Sequence, residues 1–166
     1  MTEKEALATV KHDYNVKNVK FFRGMEGQGF NSTLYRGNIK VADVDDDGNG
    51  GCFHFYYHSK KEEDTFLNFL KTIPEYEYVN EIGSSRFVWK FDEDSFVNHI
   101  VNEYDIKKRT ESAYKRKCKK STVVLLKSHK LGQYLVYKSP YSETLKERIK
   151  ITHGKDLLEI VNERYL

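Results

Sequence analysis

The chain has 166 residues, a mass of 19.6 kDa and a formal net charge of +3. Hydrophobic residues at 39% and aromatics at 14% exclude a disordered chain, and no apolar run approaches the ~20 residues of a membrane span. The polar, mixed-charge start, residues 1–14, lacks the apolar stretch of a signal peptide, so the expectation is a soluble, cytoplasmic, globular protein with no membrane partner.

Residues 1–15 read as a short polar helix or a loose arm. Residues 16–23 read as a strand through Val16, Val19, Phe21 and Phe22, and the glycine-rich stretch from Gly24 to Gly29 as a turn. In residues 30–36, Phe30, Ser32 and Leu34 alternate with Asn31, Thr33 and Tyr35, the period of a half-buried strand. Gly37-Asn38 is a hairpin signal, because both residues accept positive φ. Residues 39–44 form the return strand, 45–51 a loop, and 52–58 an aromatic strand with Phe53, Phe55 and Tyr57 on one face and His54, Tyr56 and His58 on the other. Ser59 opens a helix over 59–72, with Phe66, Leu67, Phe69, Leu70 and Ile73 as its inner stripe and Pro74 as its stop. Short strands over 75–79 and 86–90 flank Gly83-Ser84-Ser85. A long helix then runs from Asp92 to about Cys118, with Phe96, Val97, Ile100, Val101 and Tyr104 at helical spacing. Strands over 122–127 and 134–138, a helix over 142–152 and a last strand over 157–162 complete the chain. The fold class is therefore α+β: an N-terminal antiparallel β-meander with a packed helix, a long central helix and a C-terminal ββαβ unit. The division expected is 1–91 and 92–166, or a single domain over 1–166.

The small net charge conceals an asymmetry. Residues 1–104 hold 12 basic and 18 acidic side chains, a net of −6, and residues 105–166 hold 16 and 7, a net of +9. Such a split points to charged binding faces. The acidic candidates are Asp43, Asp45, Asp46 and Asp47 in one loop and Glu62, Glu63 and Asp64 at a helix start. The basic candidates are Lys107, Lys108, Arg109, Lys115, Arg116, Lys117, Lys119 and Lys120, with Tyr114 beside them. A basic run of this kind suits phosphates, and neighbouring aromatics suit unstacked bases.

Other constellations carry less. The Asp43-x-Asp45-x-Asp47-Gly48 spacing opens like a calcium loop, but position twelve is His54 where a bidentate glutamate belongs, and a strand precedes it. The metal-dependent alternative would draw on Asp43–Asp47, Cys52 and His54. Gly24-x-x-Gly27-x-Gly29 fits neither phosphate-loop fingerprint, and its plainer reading is a hairpin loop with positive φ angles. His54 and His58 share a strand face but lie about 13 Å apart by strand rise, too far for one metal. Cys52 and Cys118 form no Cys-x-x-Cys pair, which removes a zinc ribbon or redox dithiol. No catalytic signature is present, so no catalytic residue, metal ligand or cofactor is assigned, and the chain is read as a non-enzyme.

The run from Phe21-Phe22 through Gly24-Met25-Glu26-Gly27-Gln28-Gly29-Phe30-Asn31 to Asp47-Gly48-Asn49-Gly50-Gly51 resembles the N-terminal part of small proteins encoded by bacteriophages and prophages. The stretch 119–163, with Ser139-Pro140-Tyr141 and Ile160-Val161-Asn162-Glu163, is similar to the ends of the same proteins. The resemblance covers about half the chain and brings no assigned catalytic residues. It implies a phage accessory protein acting in the bacterial cytoplasm, binding a host protein or a nucleoprotein complex, for instance a CRISPR-type defence effector. The leading expectation is an inhibitor that occludes its target's basic, nucleic-acid-binding surface with residues 43–64. The alternative is a nucleic-acid-binding protein that uses residues 107–120.

Overall fold

Thr2 caps the first helix, α1 (Glu3–Ala8), through a reciprocal box: Glu5 N–H donates to the Thr2 hydroxyl and Thr2 N–H to the Glu5 carboxylate at 2.8 Å. Those bonds hold the Glu5 carboxyl below its ordinary range. The computed structural model describes residues 1–79 and 86–166. The turn expected at Gly83-Ser84-Ser85 lies outside the described residues. The chain divides into two units, Met1–Asn102 and Glu103–Leu166, and the division falls inside the long helix.

The first unit is built on a four-stranded antiparallel meander, β1 (Tyr14–Arg23), β2 (Gln28–Arg36), β3 (Ile39–Asp46) and β4 (His54–Tyr57), in sequence order. The alternation read from β2 holds in part: Phe30, Ser32 and Leu34 are buried and Asn31 is exposed, but Thr33, expected on the outer face, is buried too. Leu34 pairs with Ala42 and Ser32 with Val44 across the strands. The register slips between Lys17 and Lys20, where Asn18 takes φ 57, the one non-glycine positive φ among the described residues. The bulge lets Val16 and Val19 both point inward while Lys17 and Lys20 point out. Ser59 caps α2 (Lys60–Leu70), accepting from Glu62 N–H. Phe66 and Leu70 of α2 are buried, and Phe66 and Phe69 meet Tyr14 and Phe96 in one aromatic cluster. Phe96 lies in α3 (Glu93–Lys117), whose residues up to Val101 contribute to this core. A separate two-stranded hairpin, β5 (Tyr76–Val79) and β6 (Arg86–Trp89), follows α2.

Gly24, Gly29 and Gly48 of the glycine-rich stretches serve backbone proximity. A Cβ on Gly24 would meet the Asp47 and Gly48 carbonyl oxygens at 2.5 Å, and one on Gly29 the Asp46 carbonyl at 2.4 Å. Glu26 and Gly27 N–H both donate to the Gly48 carbonyl at 3.0 Å, so the β1–β2 turn and the β3–β4 loop are bonded through their main chains. The expected positive φ angles are absent at Gly24, Gly27 and Gly29 and occur at Gly37, Gly48 and Gly50. Gly24 and Gly29 are glycine because a second backbone occupies the Cβ position, whereas a Cβ on Gly27 would meet nothing within 4 Å.

The second unit holds a three-stranded antiparallel sheet in the order β8 (Leu135–Tyr137), β7 (Thr122–Leu126), β9 (Leu157–Ile160). Between β8 and β9 lies α4 (Glu143–His153), capped by Ser142. Ile149 of α4 packs with Val124 and Ile160, and Tyr114 of α3 packs with Val123 and Val161. The last strand ends two residues short of expectation, because Val161–Tyr165 forms a 3-10 turn. Asn162 explains the change. Its Oδ1 accepts Val123 N–H at 2.8 Å, and its Nδ2 donates to the Cys118 and Ser121 carbonyls at 3.2 and 2.9 Å. A strand would have pointed this side chain away from those groups.

Candidate nucleic-acid interface

The acidic candidates lie apart and are locally committed. Asp43 and Asp45 stand on the outer face of β3, opposite Tyr56 and His54. Asp43 accepts from Thr33 and Lys40 at 3.0 Å and has His58 at 3.3 Å. Burial pushes its carboxyl up, but the bonds from Lys40, Thr33 and His58 outweigh that and hold it below its ordinary value. Asp45 accepts from Asn31. Asp46 and Asp47 turn back onto their own loop, accepting Gly48 and Asn49 N–H at 2.9 and 2.8 Å. These carboxylates therefore do not converge, and no group of three His, Cys, Asp or Glu side chains among the described residues is arranged to hold a metal.

Glu62 leaves the acidic patch altogether. It is 8% exposed, and Arg36 Nη2 donates to both its oxygens at 3.0 and 2.8 Å. The pair ties α2 to the inner face of β2. Glu63 and Asp64 both face Lys60 at 3.2 Å. Close by, the Tyr14 and Ser32 hydroxyls and Arg36 Nε are buried without a hydrogen-bond partner among the described residues, and burial raises the Tyr14 phenol to about 12.

The basic candidates behave differently. Lys107 pairs with Glu103 at 3.2 Å and Arg109 with Asp105 at 2.7 Å, the i,i+4 pairs of a solvated helix face. Lys108 lies over the Tyr104 ring and Lys117 over the Tyr134 ring, 5.7 and 5.9 Å from the centroids. Lys115, Arg116, Lys119 and Lys120 are exposed, and among the described residues none has a carboxylate within ion-pair distance. Tyr114, expected to stack on bases, is buried in the core instead.

A cleft of about 630 Å³ opens beside this free cluster. Lys115, Cys118 and Lys119 form one wall, and Pro140, Tyr141, Asn162, Tyr165 and Leu166 the rest. Two ion networks fix its aromatic residues. The Tyr141 hydroxyl lies 2.9 Å from Glu163 and 3.1 Å from Glu143, and Lys146 meets Glu163 at 2.9 Å. The Tyr165 hydroxyl donates to Glu111, which Arg164 meets at 3.1 Å. Burial and the Glu111 carboxylate raise the Tyr165 phenol to about 12, and the bonds from Lys146 and Tyr141 hold Glu163 below its ordinary value. Both cations of these networks are shared, Lys146 with Glu143 at 3.6 Å and Arg164 with Glu159, so the four carboxylates are offset only in part. Lys115 and Lys119 add two ammonium groups that have no carboxylate partner among the described residues.

The charge asymmetry follows the structural division. Met1–Asn102 holds 12 basic and 17 acidic residues, a net of −5, and Glu103–Leu166 holds 16 and 8, a net of +8. No family model, no curated protein and no solved structure matches the chain. Among the described residues no helix is long and apolar enough to cross a membrane. Sequence reasoning found the lysines but missed Pro140, Tyr141 and Tyr165 beside them, because no local pattern reports a contact between segments so far apart. It also passed over Phe87, Val88 and Trp89 of β6, which are 50, 67 and 52% exposed.

Proposed function

We propose that this chain works by binding rather than by catalysis, and that its working surface is the basic end of α3, which engages nucleic acid, free or within a nucleoprotein complex. One observation carries the reading: Lys115, Arg116, Lys119 and Lys120 are exposed cations with no carboxylate partner among the described residues, whereas every acidic candidate already accepts from a neighbour. Unpaired surface cations displace the counterions of a phosphate backbone without first breaking an internal ion pair. The resemblance of residues 21–51 and 119–163 to phage-encoded proteins supports a bacterial host as the place of action and a defence complex as the nucleoprotein target. Occlusion of a basic surface by residues 43–64 has less support, since Glu62 is withdrawn and the other carboxylates are locally bonded.

The test is fluorescence anisotropy with labelled single- and double-stranded DNA and RNA over a salt series. Four phosphate contacts give a log–log salt slope of about −3 to −4. The combined Lys115→Gln, Arg116→Gln, Lys119→Gln and Lys120→Gln variant flattens that slope and weakens binding to every sequence alike. Failure to bind any of these nucleic acids at low salt overturns the proposal.

A further inference from the structure

We infer that the cleft lined by Lys115, Lys119, Tyr141 and Tyr165 is a subsite for single-stranded nucleic acid, taking an unstacked base against its apolar, aromatic wall and the adjoining phosphates on the two lysines. This rests on the binding reading above and adds to it the form of the ligand and the place of contact.

Three observations lead there. The first is size: about 630 Å³ lies within the roughly 300–1,000 Å³ of small-ligand clefts and accommodates a nucleoside-sized group. The second is composition: an apolar and aromatic lining from Pro140, Tyr141, Tyr165 and Leu166 adjoins two free ammonium groups, the pairing of stacking surface and positive charge that single-strand binders use. The third is preorganisation. Both tyrosines are held by their hydroxyls, Tyr141 between Glu143 and Glu163 and Tyr165 on Glu111, so their rings are positioned before any ligand arrives. Tyr165 remains 40% exposed. Lys146, shared by Glu143 and Glu163, and Arg164, shared by Glu111 and Glu159, offset part of the charge of the carboxylates that hold the rings, and Lys115 and Lys119 supply two further positive charges for phosphate. A duplex keeps its bases stacked and offers the cleft only its backbone, so it gains from the lysines and not from the tyrosines.

The experiment compares a short oligothymidylate with a duplex of equal length by anisotropy, and uses Cys118 as a reporter. Cys118 lines the cleft, so an occupant slows its alkylation. Cys52→Ser, far from the cleft in sequence and in the other unit, removes the exposed competing thiol. The oligothymidylate is expected to bind more tightly than the duplex and to slow Cys118 alkylation. Tyr165→Leu is expected to weaken the single strand by about 5- to 150-fold, the range of losing one stacked base, and to leave the duplex nearly unchanged. Tyr165→Phe keeps the ring and recovers most of the affinity. Tyr56→Leu, the same loss of an exposed ring in the first unit, changes neither.

Lysine-dependent binding of both nucleic acids, with no effect of Tyr165→Leu and no protection of Cys118, overturns the subsite and leaves the basic-surface reading intact. Protection of Cys118 by a polyglutamate peptide and not by the oligothymidylate overturns it in favour of an acidic protein partner. Absence of all nucleic-acid binding removes both readings together.

Discussion

Replacing Asn162 by alanine removes three hydrogen bonds from the interior of the second unit. The lost bonds are those of Val123 N–H at 2.8 Å and of the Cys118 and Ser121 carbonyls at 3.2 and 2.9 Å. Asn162 is 4% exposed and Val123 is fully buried, so water does not readily replace the lost partner of the Val123 amide. At about 1 kcal/mol per bond the loss is about 3 kcal/mol, and the stranded donor adds to it. That is a large share of the roughly 5–15 kcal/mol that holds a domain together. For a unit of this size, each kcal/mol lowers the melting temperature by about 4–8 °C, which gives a drop of about 12–24 °C. Asn162→Asp sharpens the test. It keeps the shape and the acceptor for Val123 but turns a carboxylate oxygen toward two carbonyls, so it is at least as damaging at neutral pH and recovers in part when the carboxyl is protonated. Urea denaturation followed by circular dichroism gives the stability, and hydrogen exchange at the Val123 amide gives the local effect. An alanine variant with an unchanged urea midpoint and an unchanged Val123 exchange rate would refute the reasoning.

Two further outcomes are expected. Gly29→Ala places a Cβ 2.4 Å from the Asp46 carbonyl and costs about 1–3 kcal/mol, whereas Gly27→Ala meets nothing within 4 Å, has no positive φ, and is neutral or stabilising by up to about 1 kcal/mol; equal urea midpoints for the two variants would contradict the crowding argument. Glu163 is held below its ordinary value of 4.5, so its contribution to stability is present above that pH and is lost as the pH falls through the lower folded-state value. Glu163→Gln accordingly shows a shallower loss of stability than the parent below about pH 4.5 and the same pH-independence near neutrality, read from melting temperatures across a pH series.

The elements that sequence reasoning located are those whose causes are local. The alternation of Phe30, Ser32 and Leu34, the cap at Ser59 and the heavily charged start and end of α3 depend on neighbours within one turn or one strand. The misses depend on distant chain. Asn162 looks like the end of a strand, because Leu157, Leu158, Ile160 and Val161 are apolar and β-compatible and nothing nearby reports that three backbone groups of residues 118–123 await its amide. Glu62 looks like a solvated helix-start acid until Arg36 is placed beneath it. Tyr114 sits in a basic stretch and reads as exposed, yet helix geometry turns it toward Val123 and Val161. At the site, the lysines were legible as composition, while the cleft exists only once residues 140–141 and 165–166 are folded beside residues 115–119.

The glycine contact between the β1–β2 turn and the β3–β4 loop has a bearing on how this chain tolerates change in length. Two connections bonded main chain to main chain cannot vary independently: an extra residue in one displaces the Gly48 carbonyl from the Glu26 and Gly27 amides and leaves the other without its seat. No side-chain exchange elsewhere can compensate, since the partners are backbone atoms common to all residues. Insertions, epitope tags and circular permutation points belong elsewhere, and related chains that alter one connection are expected to alter the other in step.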